Sequence, residues 1–337
     1  MIEALIEYGL FFAKTATLLI ALVLALTVIF SLGRRDKTAE RLTVRSINQK
    51  YDTMRQLLEH EVLNKKALKK INKEHKKETK AKKKEKSEAD RNRVFVLNFK
   101  GDIRASAVAS LREEITALLT IANKDDEVLV CLENPGGTVH EHGLAASQLL
   151  RIRQREIPLV VAVDKVAASG GYLMASTANK IIAAPFAIIG SIGVIAQIPN
   201  FRRVLEKHGV DFEQITAGKY KRTITMFGKN TDEDRAKLKQ DLEGVHDLFK
   251  ASVTAHREEL DIEQVATGDH WYGQQALELK LVDELMTSDD YLLEKSKDSD
   301  LFEIEYKQKK KIGKKLGAAA RGAWDEFSSN VFSRWEK

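Results

Sequence analysis

Apolar residues in the middle of the chain fall in short runs, and longer amphipathic stretches separate them. The runs are typical of buried strands and cover residues 94–99, 128–132 and 158–163. A helical pattern follows each of them, at residues 108–122, 139–153 and 172–178. Strands that alternate with helices of this length predict βαβ units and a mainly parallel sheet. The sequence therefore predicts an α/β fold.

Two further elements follow these units. Residues 180–198 are apolar and contain Gly190 and Gly193, which predicts strands joined by tight turns. Residues 231–260 have the period of a long amphipathic helix. Thr231 and Asp234 stand where a capping box would begin that helix.

The N-terminal region predicts a membrane anchor. Residues 15–32 contain no charge, and as a helix they would span about 27 Å, close to the ~30 Å hydrocarbon core of a bilayer. A cleaved signal peptide is the alternative, but it needs a basic front end, and here Glu3 and Glu7 come first. We therefore expect residues 1–33 to be a retained transmembrane anchor.

The charge is concentrated behind this anchor. The net charge of the 337 residues is +6, yet residues 65–93 alone carry +9, which leaves −3 for the rest. Residues 34–92 are predicted to be a charged helical or disordered linker that could meet anionic lipid headgroups. Because it lacks interleaved aromatic residues and a binding fold, nucleic acid is not an expected partner.

The C-terminal end has its own pattern. We expect residues 93–293 to form the catalytic domain and residues 294–337 a basic amphipathic tail. Apolar residues spaced three or four apart predict a helix in that tail: Leu316, Ala320, Trp324, Phe327, Val331 and Trp335. Such a helix could pack on the protein, join an oligomer contact or lie on a membrane.

The polar residues exclude some chemistry. The single cysteine, Cys131, allows neither an intrachain disulfide nor a cysteine-based metal site. The eight histidines include no His-Glu-x-x-His spacing. We therefore expect no metal and no cofactor.

Two glycine pairs follow predicted strands and suggest a site. One is Asn134-Pro135-Gly136-Gly137, and the other follows Ser169 as Gly170-Gly171. A serine between a strand and a helix, with small neighbours, resembles a nucleophile elbow. The Gly170 N–H could bind the oxyanion of an acyl-transfer reaction, with a second donor from Gly136 or Gly137.

A nucleophilic serine needs a general base. His140 and His142 follow the first glycine pair, but residues two apart point to different faces of a helix. A shared metal is therefore not expected, and nothing in the pattern supports a triad role for either histidine. A lysine is the other candidate, because burial can lower the pKa of an amine toward neutrality.

These motifs, taken in order, resemble the signal peptide peptidase A family of serine peptidases, and most closely its SohB branch. Ala168 to Tyr172 resembles the nucleophile motif, and Gly218-Lys219-Tyr220-Lys221 resembles the general-base motif. Residues 190–194 resemble the turn that contacts the base, and residues 134–137 the oxyanion loop. The resemblance covers residues 93–290.

The resemblance implies a Ser-Lys dyad in a Clp protease/crotonase-like fold. Ser169 would be the nucleophile, Lys221 the general base, Ser191 the residue that orients Lys221, and Gly136 and Gly170 the oxyanion donors. Lys219 is the competing base. Residues 222–225, Arg-Thr-Ile-Thr, depart from the acidic or small residue frequent in the family.

The resemblance also implies partners and a location. The substrates would be signal peptides or other membrane-associated polypeptides, and the enzyme would be a homo-oligomer in the inner membrane with a single transmembrane pass. Basic residues after the anchor predict a cytoplasmic catalytic domain, whereas the family places it on the outer side. The competing functions are an acyl-CoA-handling crotonase-fold enzyme and a catalytically silent membrane scaffold.

Overall fold

The computed structural model describes residues 8–20, 22, 41–68, 70, 73 and 92–308. Residues 42–306 form one compact unit. Most of the predicted anchor, the Lys-rich run and the predicted tail helix lie outside the described residues. Residues 8–20 and 22 are helical. Among the residues that are described, no helix is both long enough and apolar enough to cross a membrane.

Strands and helices alternate through most of the compact unit. The strands are β1 Arg41–Ser46, β2 Arg93–Lys100, β3 Glu127–Glu133, β4 Leu159–Val163, β5 Val166–Ala168, β6 Lys180–Ala183, β7 Ile188–Gly190, β8 His270–Tyr272, β9 Glu284–Leu285 and β10 Asp300–Lys307. The helices are α1 Ile47–Val62, α2 Val108–Leu118, α3 Val139–Arg153, α4 Gly170–Ala175, α5 Arg202–Lys207, α6 Asp232–Thr254, α7 Ile262–Val265, α8 Gly273–Glu278 and α9 Ser288–Lys295.

The strands form two sheets. The larger one has the order β1-β10-β2-β3-β4-β6-β9, and its pairings from β10 to β9 are all parallel. In the smaller sheet, β5-β7-β8, the first pair is parallel and the second antiparallel. The predicted α/β fold is thus confirmed, while the likeness to Clp protease and the crotonases stays a prediction.

The larger sheet is buried on both faces, which explains its uninterrupted apolar runs. Along β2, Phe95, Leu97 and Phe99 join the main core with helices α2 and α3. Val94 and Val96 point to the opposite face and join a smaller core, to which α1 and α9 contribute. The central strands are therefore fixed from both sides, and their carboxyl ends can position a site.

Most of the predicted elements are present, with shifted ends. Helix α3 has the predicted bounds, and Thr231 and Asp234 form the predicted capping box of α6. Helix α2 ends four residues before its predicted end, and α4 begins two residues before its predicted start. Strands β1 and β10 were not predicted: they lie in the segments assigned to the linker and the tail. Charged residues interrupt both strands, so neither has the continuous apolar run by which β2, β3 and β4 were predicted.

One carboxyl group of the core has a perturbed pKa. The Glu114 side chain on α2 is buried, and its Oε1 accepts a hydrogen bond from the Tyr306 N–H at 2.8 Å. The pKa of Glu114 is raised to about 7, mainly by burial. The hydrogen bond from the Tyr306 N–H opposes this rise in pKa, and the nearby Glu305 charge adds to it. The folded protein thus holds this proton at a pH at which the unfolded chain has released it.

We expect Glu114 to make stability fall as the pH rises. The pKa of Glu114 in the folded protein lies above the unfolded value of 4.5. The free energy of unfolding should therefore fall by roughly 3 kcal/mol as the pH rises from about 4.5 to 7. Glu114→Gln should remove this slope, since Gln keeps an acceptor for Tyr306 and cannot ionise. Urea denaturation at about pH 5 and 8 measures it. Glu113→Gln, at an exposed neighbour, is the control and should keep the slope; an unchanged slope in Glu114→Gln would disprove the assignment.

Candidate active site

Ser169 occupies a strained turn between β5 and α4. Its backbone has φ 52° and ψ −121°, a conformation that costs about 1–3 kcal/mol in a residue other than glycine. The Ser169 N–H donates to the Gly190 carbonyl at 2.8 Å, which holds the turn. The side chain is half-buried, and within residues 92–308 no hydrogen bond engages its hydroxyl. This geometry presents a free hydroxyl at a strand end, as the sequence predicts.

The loop of residues 134–137 is docked against this turn by its backbone. The Asn134 N–H donates to Val166, and the Asn134 carbonyl accepts from the Ala168 N–H, at 2.8 and 3.0 Å. Gly136 has φ +91°, and a Cβ there would lie 2.7 Å from Ser169 Cβ. Only glycine fits at this position, because a side chain would push the loop away from Ser169.

The predicted oxyanion donors differ in whether their N–H groups already donate a hydrogen bond. Gly170 begins α4, where the N–H has no acceptor within the helix, and no described residue accepts from it. The Gly136 N–H donates to Asn134 Oδ1 at 2.9 Å, so it is satisfied within the loop. The Gly137 N–H has no acceptor among the described residues. Gly136 as an oxyanion donor therefore stays a prediction. It requires the Gly136 N–H either to donate to Asn134 Oδ1 and the oxyanion together or to leave Asn134 Oδ1.

Ser191 lies beside Ser169. Strands β5 and β7 pair in parallel with Ala168 opposite Gly190, so the two serines leave their strands at equivalent positions, both with φ 52°. The Ser191 N–H donates to Asp269 at 2.7 Å, and its hydroxyl donates to the Gly268 carbonyl at 3.4 Å. Ser191 is therefore at the site, but its hydroxyl faces the Gly268 turn and not Lys221.

The predicted general base is not joined to Ser169. Lys221 is exposed, and among the described residues no hydrogen bond links it to Ser169 or Ser191. Lys219 is also exposed, with its Nζ 3.2 Å from a Glu233 carboxylate oxygen. Hydrogen bonds with Tyr220 and then Glu233 raise the pKa of Lys219, which is opposite to what a base requires.

Both lysines lie in a segment that we name the exposed arm, residues 194–228. Its ends are held together, since the Phe201 N–H donates to the Met226 carbonyl at 2.7 Å and Asn200 donates to Thr225 and Gly228. Ten large apolar residues of this arm are exposed: Ile195, Ile198, Phe201, Val204, Val210, Phe212, Ile215, Tyr220, Met226 and Phe227. The Phe227 ring lies 6.1 Å from the ring of Phe201 and 5.7 Å from that of Phe212, and exposed apolar clusters of this kind are typical of interaction sites.

The two histidines at the start of α3 have different surroundings. His140 is exposed and lies 3.8 Å from Glu141. His142 is fully buried, with Nε2 3.2 Å from Asn134 Oδ1 and Nδ1 2.9 Å from the Thr138 carbonyl. Neither is joined to Ser169. The part played by the Asn134 side chain was not predicted from the sequence, although an Asn before Pro-Gly indicates a local side-chain-to-backbone hydrogen bond.

A serine on a strained turn, packed against a glycine loop, is the arrangement of a serine hydrolase, and similarity to known proteins defines the class further. The family models Peptidase family S49 N-terminal and Peptidase family S49 match residues 3–149 and 151–301. The chain belongs to peptidase family S49. This membership makes it a peptidase and supports the serine type; it gives no support to the acyl-CoA alternative.

Individual relatives agree with this assignment. A probable protease SohB of Haemophilus influenzae is 45% identical over 99% of this chain and 96% of the relative. A probable protease SohB of Buchnera aphidicola subsp. Schlechtendalia chinensis is 46% identical over 86% of this chain and 99% of the relative. These relatives place the chain in the SohB branch.

A solved structure of a variant of the 1510-N membrane-bound stomatin-specific protease, in complex with a substrate peptide, is a distant neighbour. It is 16% identical with a TM-score of 0.43, over 69% of this chain and 99% of the other. A likeness at this level does not bear on the site.

We expect Gly136→Ala to reduce hydrolysis of labelled casein by at least about 100-fold, because displacing a loop by about 1 Å from reacting atoms has costs of that size. The new Cβ would lie 2.7 Å from both the Ala168 carbonyl oxygen and Ser169 Cβ. Gly143→Ala on α3 is the matched control, since nothing lies within 4 Å of a Cβ there. It should keep wild-type activity. Equal activity of the two folded variants would contradict the close packing of Gly136 on Ser169.

Proposed function

We propose that this protein is a serine endopeptidase in which Ser169 is the nucleophile and Lys221 the general base. The observation that carries the proposal is the strained Ser169 turn in a member of a peptidase family, with a hydroxyl that no described residue engages, next to the Gly170 N–H. In known enzymes strain of this kind clusters at active sites, where it orients the reacting group before substrate arrives.

The reaction follows from the residues at the turn. The Ser169 oxygen attacks the amide carbonyl of the substrate, and the neutral Lys221 amine takes the hydroxyl proton. The oxyanion that forms is bound by the Gly170 N–H and by a donor from the loop of residues 134–137. Lys221 then passes the proton to the leaving amine, and water hydrolyses the acyl-enzyme. No metal or cofactor is part of this proposal.

Lys221 is preferred over Lys219 for two reasons. It matches the second lysine of the general-base motif, and Lys219 is paired with Glu233, whose charge keeps an amine protonated. Burial favours the neutral form of a lysine, and Lys221 is exposed in the single chain, so the proposed proton transfer requires the arm to be covered. In the proposal Ser191 then turns its hydroxyl from Gly268 to the Lys221 amine.

A second copy of the chain is the proposed cover. The arm exposes ten large apolar residues, and three of them, Phe201, Phe212 and Phe227, form a cluster of rings, as is typical of interaction surfaces. Closed homo-oligomers bury such surfaces between subunits. Burial of the arm would desolvate Lys221 and complete the substrate groove in one step, which links activity to assembly.

The proposed location is the inner membrane, with residues 1–33 as a single-pass anchor. The uncharged run of residues 15–32 supports it. The proposed substrates are signal peptides or other membrane-associated polypeptides, since the exposed apolar side chains of the arm suit apolar segments. Protease accessibility in spheroplasts decides which side of the membrane holds the catalytic domain.

We expect Ser169→Ala and Lys221→Ala each to lower hydrolysis of labelled casein by several orders of magnitude, and the double variant to be no worse, because the two residues act as a unit. Lys219→Ala is the matched control in the same arm and should keep most of its activity. Equal partial losses in the two lysine variants would mean that neither lysine is the base.

Mixing the two inactive single variants tests the role of assembly. Recovered hydrolysis would assign Lys221 to the Ser169 of a neighbouring copy, whereas no recovery in a mixed oligomer would assign both to one chain. A chain that sediments as a monomer with full activity would contradict the assembly proposal.

A further inference from the structure

His142 is buried directly beneath the turn that carries the candidate nucleophile. The ring packs against Gly170 so closely that a Cβ on this glycine would lie 2.4 Å from His142 Cγ. The other neighbours are Asn134, which is also fully buried, and the Thr138 carbonyl. None of the proposed catalytic steps uses this histidine, yet it contacts both loops of the site.

The Asn134 carboxamide can point in only one direction. Its Oδ1 accepts the Gly136 N–H at 2.9 Å, and its Nδ2 donates to Met174 Sδ at 3.2 Å. If the amide were reversed, a donor would face the Gly136 N–H. The oxygen that faces His142 Nε2 can therefore only accept, and so can the Thr138 carbonyl that faces Nδ1. A neutral imidazole carries one N–H, so the 3.2 Å contact with Asn134 is a hydrogen bond in the tautomer that has its hydrogen on Nε2.

We propose that His142 is a positioning residue, which donates from Nε2 to Asn134 and thereby holds the loop of residues 134–137 against Ser169. The chain of contacts runs from His142 to Asn134 Oδ1, from there to the Gly136 N–H, and from Gly136 to Ser169 by direct packing. The inference rests on the proposed function, since it concerns the loop that contributes to the oxyanion site.

A space-filling role makes a different demand on the side chain. If His142 only fills the volume below Gly170, any residue of similar size will do. If it only binds the Thr138 carbonyl, a donor at the position of Nδ1 is sufficient. The proposal requires a hydrogen-bond donor at the position of Nε2. The amide of Gln can supply a donor there, whereas the Asn amide is too short to reach that position and Met has no donor.

The test compares His142→Gln, His142→Met and His142→Asn in the full chain. A fluorophosphonate probe measures the site without knowledge of the substrate, because its addition to the serine places an oxygen among the oxyanion donors. We expect Gln to keep the maximal labelling rate within about threefold of wild type, and Met and Asn to lose about 10- to 100-fold. The probe concentration for half-maximal rate should change little in all three. Thermal unfolding confirms that the variants are folded.

His140→Met, two residues away and exposed, is the control and should label like wild type. Equal labelling rates of the folded Gln and Met variants, whether normal or reduced, would overturn the proposal. So would normal labelling of the Asn variant. Ser169→Ala is measured in parallel: if it still labels and hydrolyses casein, the proposed function fails, whereas if it is inactive and the His142 variants do not differ, only the positioning role fails.

Discussion

The backbone pairing between Asn134 and the strand that leads to Ser169 is the constraint on which the site depends. Two hydrogen bonds, from Asn134 to Val166 and from Ala168 to Asn134, join the end of β3 to β5. Each strand is fixed independently, β3 in the large sheet and β5 in the small one. The bridge therefore sets the distance between the glycine loop and Ser169 through rigid elements, which is how precise sites are built.

Close packing around the two glycines adds to the constraint from this backbone pairing. Gly136 touches Ser169, and His142 fills the space under Gly170, so the site has no room for other side chains at the two glycines. The strain at Ser169 is offset by its N–H bond to Gly190, and the paired strands β5 and β7 impose the same φ on Ser191. Two hydroxyls thus leave the same edge of the small sheet.

The sequence was sufficient for the parts of the molecule with a strong local pattern. Strands β2, β3 and β4 are buried on both faces, so their apolar runs identified them, and small residues around Ser169 identified the turn. Strands β1 and β10 were not predicted because charged residues interrupt their apolar residues. The role of His142 was not predicted either, since burial beneath Gly170 is a tertiary fact. Lys221 was predicted as the base only through a family motif, and that motif could not reveal that its side chain is exposed in a single chain.

In the proposed function the Ser169 hydroxyl is the reacting group. Mass spectrometry of peptides from fluorophosphonate-treated full-length protein tests it most directly. We expect one adduct per chain, on the peptide that contains Ser169, with loss of casein hydrolysis in proportion to the adduct. An adduct on another residue that abolishes hydrolysis, or full hydrolysis by a chain fully modified at Ser169, would contradict it.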